Sequence, residues 1–373
     1  MKVLVYGLSS CIGGVETFVF NYCSAITKAF PQISFDYIVY DAIPGYVTER
    51  GLDRARFHVI PDRATSLIAN RRELKRLFAK GNFDCVWGNL CSLSDIGPLS
   101  CAVGEAPMRI VHAHSSQNMG TMLTGILHKL HQKRIDGIAT DLLACSQSAS
   151  FFMYARKDVQ ARQVRIVPNG IDVIRFAFDE DTRQCIRKEI GWESALVMIY
   201  VGRLSSEKNP LFTLDVLEAL RIKGHDARLL MLGEGLQREE IVSAIRTKGL
   251  DGLVKMLGTV PDVERYLSAS DVLLMPSHFE GLPLALVEAQ ASGVFCVVSD
   301  GVSSEAVLSD HVHRIALADS AEGWARIVAD ELPFSQDRSK GAEAVKSAGF
   351  DLSQNAQELG TWLLRRYDEI VAG

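Results

Sequence analysis

Residues 278–293, HFEGLPLALVEAQASG, contain the strongest structural signal in this chain. They follow an apolar run, Val272–Met275, whose length is typical of a buried strand. Gly281 and Pro283 then mark a turn, and the residues after it have helical character until Gly293. The pattern predicts a strand, a tight turn and a helix whose N-terminus lies at the carboxyl edge of a parallel sheet.

The N-terminus of such a helix presents unpaired backbone N–H groups and the positive end of the helix dipole, which suits a phosphate. Two carboxylates lie on either side of it, Glu280 in the loop and Glu288 in the helix. A nucleotide-sugar could use one of them for sugar hydroxyls and the other for the ribose. The alternative is an ordinary strand–helix unit with two solvated glutamates, and this stretch alone leaves both interpretations open.

The composition is that of a globular protein with room for two domains, since 47% of the 373 residues are hydrophobic and 23% are charged. No apolar run reaches about 18 residues, so no membrane-spanning helix is predicted. The first residues, MKVLVYGLSS, have the pattern of a strand and lack the cleavage site of a signal peptide. Eight cysteines without paired or metal-ligand spacing indicate reduced thiols in a cytoplasmic protein.

The charge is distributed unevenly along the chain. Residues 1–170 contain 19 Lys and Arg against 13 Asp and Glu, a charge of +6, and the remainder contains 21 against 32, a charge of −11. Two basic amphipathic stretches, Arg71–Lys80 and Met119–Arg134, lie in the positive half. They are either solvated helix faces or surfaces that contact an anionic membrane.

The N-terminal half begins with an apolar strand, a glycine-rich segment that ends in Gly13 and Gly14, and an amphipathic helix. The G-x-G-x-x-G spacing of a dinucleotide site is absent, which disfavours a nicotinamide cofactor. A later strand, Arg109–Ala113, leads into a second histidine and two serines. Alternation along the strand puts His112 and His114 on the same side. No third metal ligand is suggested locally, so these side chains are predicted to bind a substrate by hydrogen bonds.

The C-terminal half follows a charged connector, Phe178 to Trp192, and opens with the apolar strand Leu196–Val201. This strand leads into Arg203 and Lys208, two cations that could hold a diphosphate without a metal. Strands and helices then alternate, which predicts a parallel sheet with helices on both faces. The chain therefore reads as two open α/β domains, with the expected site in the cleft between their carboxyl edges.

Several motifs occur together in one order along the chain: Gly13-Gly14-Val15-Glu16, the strand with His112 and His114, Val167 to Asp172, Gly202-Arg203 with Lys208, and Glu280 with Glu288. With these motifs the chain resembles the retaining glycosyltransferases of the GT-B architecture, in the large family four of nucleotide-sugar-dependent enzymes. The most specific motif is the pair of glutamates separated by seven residues.

The resemblance implies two Rossmann-like domains that face each other across a cleft. The acceptor domain would span residues 1–172, with a C-terminal helix at about 355–373 that crosses back to it, and the donor domain would span residues 190–354. The chain departs from the family in one segment, Ser299 to Glu305, where a glycine pair is usual.

The resemblance also implies roles for individual residues. Arg203 and Lys208 would stabilise the donor diphosphate, Glu288 would bind the ribose, and Glu280 would contact the donor sugar. His114 would hydrogen-bond the sugar near the reacting centre, with His112 as the rival for that role. The remaining donor-binding positions would be Gly13, Gly14, Gly281, Leu282 and Leu284.

The implied reaction retains the anomeric configuration and uses neither a metal nor a cofactor, with attack on the same face as the departing diphosphate. A UDP-linked donor and a saccharide or lipid-linked saccharide acceptor would be its substrates, in bacterial surface polysaccharide assembly. The transferred group would be a hexosyl or N-acetylhexosaminyl unit. We expect no contact with nucleic acid, and a cytoplasmic protein in peripheral contact with the inner face of the membrane.

Two other functions compete with this interpretation. A dehydrogenase or sugar-nucleotide epimerase would need the dinucleotide glycines near the first strand and, for the short-chain type, a Tyr-x-x-x-Lys motif. Neither is present, and Tyr154 is followed four residues later by Asp158. A non-catalytic nucleotide-sugar-binding or partner subunit would be expected to lose its charged site residues. Because the cations and glutamates are all present, a catalytic glycosyltransferase is a stronger prediction than a non-catalytic subunit.

Overall fold

A computed structural model of the chain describes residues 1–117, 120–154, 164–331 and 337–373. The chain divides into two compact units. Unit 1 contains Met1–Gly170 and Leu352–Gly373, and unit 2 contains Ile171–Asp351. Met119, the first residue of one basic stretch, and Asp158 lie outside the described residues.

Unit 1 is an open α/β sheet with helices between successive strands. Its strands are β1 (Lys2–Tyr6), β2 (Ser34–Tyr40), β3 (Phe57–Ile60), β4 (Cys85–Leu90), β5 (Met108–Ala113), β6 (Asp141–Ala144) and β7 (Arg165–Ile166). Its helices in the N-terminal half are α1 (Gly14–Ala29), α2 (Gly45–Glu49), α3 (Leu67–Gly81), α4 (Gly97–Cys101), α5 (Met122–Gln132) and α6 (Gln147–Met153). The strand order is β3-β2-β1-β4-β5-β6-β7, and all pairs are parallel.

Unit 2 repeats this architecture. Its strands are β8 (Leu196–Val201), β9 (Ala227–Leu232), β10 (Val254–Gly258), β11 (Val272–Met275), β12 (Phe295–Ser299) and β13 (Val312–Ile315). Its helices are α7 (Glu180–Ile190), α8 (Leu211–Ile222), α9 (Arg238–Thr247), α10 (Val263–Ala269), α11 (Leu284–Ala291), α12 (Ala321–Glu331) and α13 (Gly341–Ser347). The parallel strand order is β10-β9-β8-β11-β12-β13.

Central strands of both sheets are buried on both faces, as parallel sheets covered by helices require. Every residue of β4, β11 and β12 is buried. The helices that cover these strands have their apolar residues on one face, as the period of an α-helix allows, for example Phe18, Tyr22 and Ile26 on α1. The sequence-based prediction of two Rossmann-like parallel-sheet domains, the GT-B fold class, is confirmed.

The last helix, α14 (Leu352–Ala372), belongs to unit 1 and packs against α1. Its buried face contributes Leu359 and Leu363 to the same core as Phe18. The Tyr367 hydroxyl donates to Asp84 over 2.8 Å. A Cβ at Gly360 would lie 2.4 Å from the ring of Phe30, so α14 approaches its neighbour this closely only because position 360 lacks a side chain.

The charged segment that was predicted to be a connector, Phe178 to Trp192, instead contains α7. The Asp179 side chain caps this helix by accepting from the backbone N–H of Asp181. Two arginines on its inner face explain the weak apolar pattern, because Arg183 and Arg187 each pair with Asp271 over 2.5 Å. A helix anchored by guanidinium groups does not show the apolar periodicity that identifies most helices.

Candidate functional site

The reversal of strand order in unit 2 lies between β8 and β11, which pair directly through Met198 and Val272. Chains leave the carboxyl ends of these two strands toward opposite sides of the sheet, which opens a crevice that ligands of such sheets occupy. The loop after β8 contains Arg203 and Lys208, and the loop after β11 contains Glu280. The sheet thus brings together residues separated by about 75 positions in the sequence.

Lys208 and Glu280 form an ion pair at this crevice. The Lys208 Nζ lies 2.7 Å from Glu280 Oε1, and the two side chains are 17% and 13% exposed. The Ser277 hydroxyl donates to the same carboxylate oxygen over 3.1 Å. A second carboxylate, that of Glu207, lies 3.5 Å from Lys208 Nζ.

The backbone of Glu280 is fixed by the segment after β12. The Glu280 N–H donates to Gly301 O, and the Ser303 N–H donates to Glu280 O, over 3.0 and 2.9 Å. A Cβ at Gly301 would lie 2.4 Å from the carbonyl oxygen of His278, so a glycine is needed where the two loops meet. The segment Ser299 to Glu305, which differs from the family pattern, therefore supports Glu280 through its backbone.

Arg203 is the more accessible of the two cations. Its side chain is 69% exposed and its nearest carboxylate, that of Glu207, is 3.7 Å away. The loop that carries it is held by the Tyr200 hydroxyl, which donates to Arg203 O over 2.7 Å. Arg203 can therefore reorient toward an anion while its backbone stays in place.

Glu288 projects from α11 into a setting that disfavours its charge. Burial raises the pKa of Glu288 to about 7, the charge of Arg175 lowers it, and the charge of Glu264 raises it. Arg175 is already engaged, since its Nε and Nη2 each lie 3.0 Å from a Glu264 carboxylate oxygen. A ligand that donates hydrogen bonds would supply what the Glu288 carboxylate lacks.

The N-terminus of α11 follows Pro283, and no side chain caps it. Gly281, Leu282 and Leu284 are all partly exposed beside it. The first N–H groups of a helix have no partner within the helix. This end of α11 therefore presents backbone N–H groups of the kind that bind a phosphate.

In unit 1 the loop after β1 is held in place by Glu16. Its carboxylate oxygens accept from the backbone N–H groups of Ser9 and Gly13 over 2.7 and 2.8 Å, and the side chain is buried. Gly13 and Gly14 are exposed. Glu16 belongs to the Gly13-Gly14-Val15-Glu16 motif, and its position three residues after Gly13 is the spacing of a capping box.

His112 and His114 lie on one side of β5, as the alternation predicted, with ring centroids 4.3 Å apart. His112 is fully buried, stacked on Trp87 at 6.0 Å and in edge contact with Phe18 at 4.8 Å. His114 is at the strand end and partly exposed, and its Nε2 lies 2.9 Å from Asn89 Oδ1.

Burial keeps both imidazoles neutral. It lowers the pKa of His114 to about 3 and that of His112 well below its usual 6.5, and repulsion between the two rings when both are protonated lowers the pKa of His112 further. Asn89, the partner of His114, was missed from the sequence. Its signal was a polar residue at the carboxyl end of the otherwise apolar strand β4.

Among the described residues, no helix is both long and apolar enough to cross a membrane. No three His, Cys, Asp or Glu side chains in these ranges are grouped so that they could hold a metal ion.

The known proteins that this chain is similar to are named as glycosyltransferases. Residues 182–344 match the family described as glycosyl transferases group 1. EpsF of Bacillus subtilis (strain 168), a candidate glycosyltransferase by its name, is 28% identical over 355 residues, which are 93% of this chain and 92% of that protein. The UDP-Gal:alpha-D-GlcNAc-diphosphoundecaprenol alpha-1,3-galactosyltransferase of Escherichia coli is 25% identical over 285 residues, 73% of each chain.

Among solved structures, Alr3699/HepE of Anabaena in complex with UDP superposes with a TM-score of 0.76 and 17% identity, covering 98% of this chain and 100% of that one. At that identity the likeness concerns the fold.

Proposed function

We propose that this chain, whose residues 182–344 match the glycosyl transferases group 1 and whose fold is GT-B, is a retaining glycosyltransferase that moves a sugar from a nucleotide-diphosphate sugar to an acceptor hydroxyl. The observation that carries the proposal is the Lys208–Glu280 pair at the strand-order reversal of unit 2. A cation for the diphosphate and a carboxylate for the sugar stand side by side where such sheets bind ligands.

Each donor group has a matching partner in unit 2. The diphosphate would be bound by Arg203, Lys208 and the N-terminus of α11, and the ribose hydroxyls would donate to Glu288. Glu280 would accept from hydroxyls of the donor sugar. The positive charges of Arg203 and Lys208 would stabilise the negative charge that develops on the departing diphosphate, so the reaction would need no metal.

The proposed chemical step proceeds on one face of the sugar. The acceptor oxygen forms a bond to the anomeric carbon as the bond from that carbon to the diphosphate oxygen breaks. The proton of the acceptor hydroxyl passes to the departing phosphate oxygen. The anomeric configuration is retained because the new bond forms on the face from which the diphosphate leaves.

Of the two histidines, we assign His114 to the donor sugar. His112 has no exposed surface and lies between Trp87 and Phe18, whereas His114 is partly exposed at the carboxyl end of β5. Asn89 Oδ1 accepts from the Nε2–H of His114 and so fixes the orientation of the ring. His112 would act as a packing partner of that ring.

The acceptor we propose is a saccharide linked to a lipid diphosphate, in bacterial surface polysaccharide biosynthesis. The name of the Escherichia coli relative describes transfer from a UDP-sugar to such an acceptor, and the Anabaena structure contains UDP. These names support a UDP-linked donor and transfer of a hexosyl or N-acetylhexosaminyl group. The protein would act on the cytoplasmic side, in peripheral contact with the membrane that holds the acceptor.

A panel of nucleotide-sugars tests the proposal by thermal stabilisation and by slow hydrolysis. A ligand at 100 times its Kd should add about 2.7 kcal/mol to the free energy of unfolding. We expect one UDP-sugar to stabilise the protein and to be hydrolysed slowly. Stabilisation without any turnover, with or without acceptor, would identify a non-catalytic binding subunit, and no stabilisation by any nucleotide-sugar would contradict the donor site.

A further inference from the structure

Helix α5 of unit 1 has its apolar residues on the outside. Met122, Leu123, Ile126 and Leu130 are between 48% and 85% exposed. At about 100° per residue these four positions share one arc of the helix surface. A surface helix of a globular protein ordinarily turns its apolar residues toward the core, so the orientation of α5 is reversed.

The inner side of α5 is attached through polar groups. His128, the one residue of the helix classed as buried, accepts from the Leu93 N–H at Nδ1 and donates to Phe152 O at Nε2, over 3.0 and 3.3 Å. His131 Nδ1 contacts Leu93 O over 2.6 Å, and Gln132 donates to Phe152 O over 3.1 Å. These hydrogen bonds fix which side of α5 faces outward, so the exposed apolar residues are not the result of a loosely attached helix.

Basic residues lie on the same outer arc. Lys129, Lys133 and Arg134 are exposed there, and the sequence contains no Asp or Glu between Glu105 and Asp136. We call the surface formed by Met122, Leu123, Ile126, Lys129, Leu130, Lys133 and Arg134 the α5 outer face. Phe151 on the neighbouring helix α6 is also exposed, at 55%.

We propose that the α5 outer face enters the headgroup region of an anionic bilayer, with its apolar side chains among the upper acyl carbons and its three cations at lipid phosphates. Apolar residues bordered by basic ones are the composition of helices that lie in the plane of a membrane surface. At 11 residues the helix is about 16 Å long and far too short to cross a bilayer. Charge argues against a second copy of the same face, because this face has three cations and no anion to pair with them, whereas an anionic lipid surface supplies the opposite charge.

This inference deepens the proposed function and rests on it for the identity of the acceptor. Strand β5 ends at Ala113, and α5 begins at Met122 with Thr121 as its N-cap. A bilayer against Met122 and Leu123 would therefore contact residues eight and nine positions along the chain from the histidine that we assign to the donor sugar. A lipid-linked acceptor could then be used without leaving the membrane surface.

The test is co-sedimentation of the full chain with vesicles of phosphatidylglycerol and phosphatidylcholine, at low and high salt. For the parent protein we expect binding that salt weakens but does not abolish. In Met122→Ser/Ile126→Ser the salt-resistant fraction should disappear and binding at low salt should fall about tenfold or more per side chain, since burying such a residue contributes about 1.5 kcal/mol or more. In Lys129→Gln/Lys133→Gln the salt-dependent part should fall instead.

The matched control replaces two equally exposed apolar residues of unit 2, in Ile222→Ser/Leu236→Ser, whose parent side chains are 81% and 100% exposed. This control should bind vesicles as the parent does. Equal binding by the parent and Met122→Ser/Ile126→Ser would overturn the inference, as would a lipid-free dimer that this variant dissociates. Hydrolysis of the UDP-sugar without vesicles should be unchanged in all variants, so that loss of vesicle binding and failure of the proposed reaction are told apart.

Discussion

Lys208 and Glu280 satisfy one another before any donor binds, because they form an ion pair of 2.7 Å with little exposure to water. A diphosphate bound at the proposed donor site would therefore compete with Glu280 for Lys208. A complete nucleotide-sugar would compensate for the lost pair by offering hydroxyl donors to Glu280, whereas a free nucleotide diphosphate would not. In the proposed reaction the pair would thus favour binding of the intact donor over binding of the product.

This competition predicts opposite effects of Glu280→Gln on two ligands. The affinity for UDP should rise a few-fold, because a partly buried pair contributes on the order of 1 kcal/mol. The affinity for the UDP-sugar should fall, and transfer should fall by roughly 100-fold or more. Calorimetric titration with both ligands measures the difference, and Glu207→Gln, which removes the more distant carboxylate, is the control. Weaker binding of both ligands to Glu280→Gln would show that the pair only holds Lys208 in place.

Glu288 should make the free energy of unfolding depend on pH. Burial raises its pKa to about 7 from an unfolded value of about 4.5, so between these values the native state binds more protons than the unfolded state. The free energy of unfolding should therefore decrease as pH rises from about 4.5 to about 7, and the loss is complete above that range. Glu288→Gln removes the buried charge and should be more stable than the parent at pH 8 by roughly 1–3 kcal/mol.

The same variant should bind the nucleotide-sugar more weakly, because an amide replaces the carboxylate that would accept from the ribose in the proposed site. Glu288→Ala should likewise lose more binding than stability. Denaturant unfolding and calorimetry at pH 5 and 8 test both statements. A stability loss in Glu288→Gln that equals the loss of binding would indicate a structural glutamate.

At the scale of single elements, the contact between α14 and α1 depends on Gly360. Gly360→Val improves the helix propensity of that position. However, the added Cβ would lie 2.4 Å from the ring of Phe30. We expect the clash to prevail and to lower the free energy of unfolding by about 1–3 kcal/mol. Gln357→Val, at an exposed position of the same helix, is the control and should be close to neutral. A Gly360→Val protein as stable as the parent would mean that α14 moves away from Phe30 without cost.

Elements whose evidence is local were predictable from the sequence. Strand β8 has the predicted bounds, Leu196–Val201, because a run of apolar residues needs no tertiary information. Strand β5 begins at Met108 and not at the expected Arg109, since its register is set by pairing with Cys85 on β4. Helix α7 was missed because Asp271, the partner of its arginines, lies about 85 residues away.

The candidate site was likewise predictable only in part. The types of residue at the site, two cations and two glutamates, follow from the sequence and its resemblance. Their arrangement does not, since neither the Lys208–Glu280 pair nor the burial of His112 follows from spacing. The reversed orientation of α5 was also beyond the sequence, because hydrogen bonds of His128 with Leu93 and Phe152 decide it.

At the scale of the whole molecule, the proposed reaction predicts that turnover survives a chelator. Arg203 and Lys208 would supply the positive charge that other transferases obtain from a divalent ion. Transfer measured after dialysis against EDTA should match the untreated rate, with a metal-dependent glycosyltransferase treated in parallel as the control. Activity that EDTA abolishes and Mg²⁺ or Mn²⁺ restores would show that the two cations do not suffice.

Unit 1 is discontinuous in sequence, since its core needs Leu359 and Leu363 from beyond unit 2. During synthesis, residues 171–351 can leave the ribosome and fold as a contiguous segment. The apolar surface of α1, in contrast, stays exposed to water until α14 has been translated. The N-terminal part of the nascent chain is therefore the part that most needs protection by chaperones. A gene fragment that encodes only residues 1–170 should yield aggregated protein, and a fragment with residues 352–373 joined to its end through a flexible linker should restore a soluble unit.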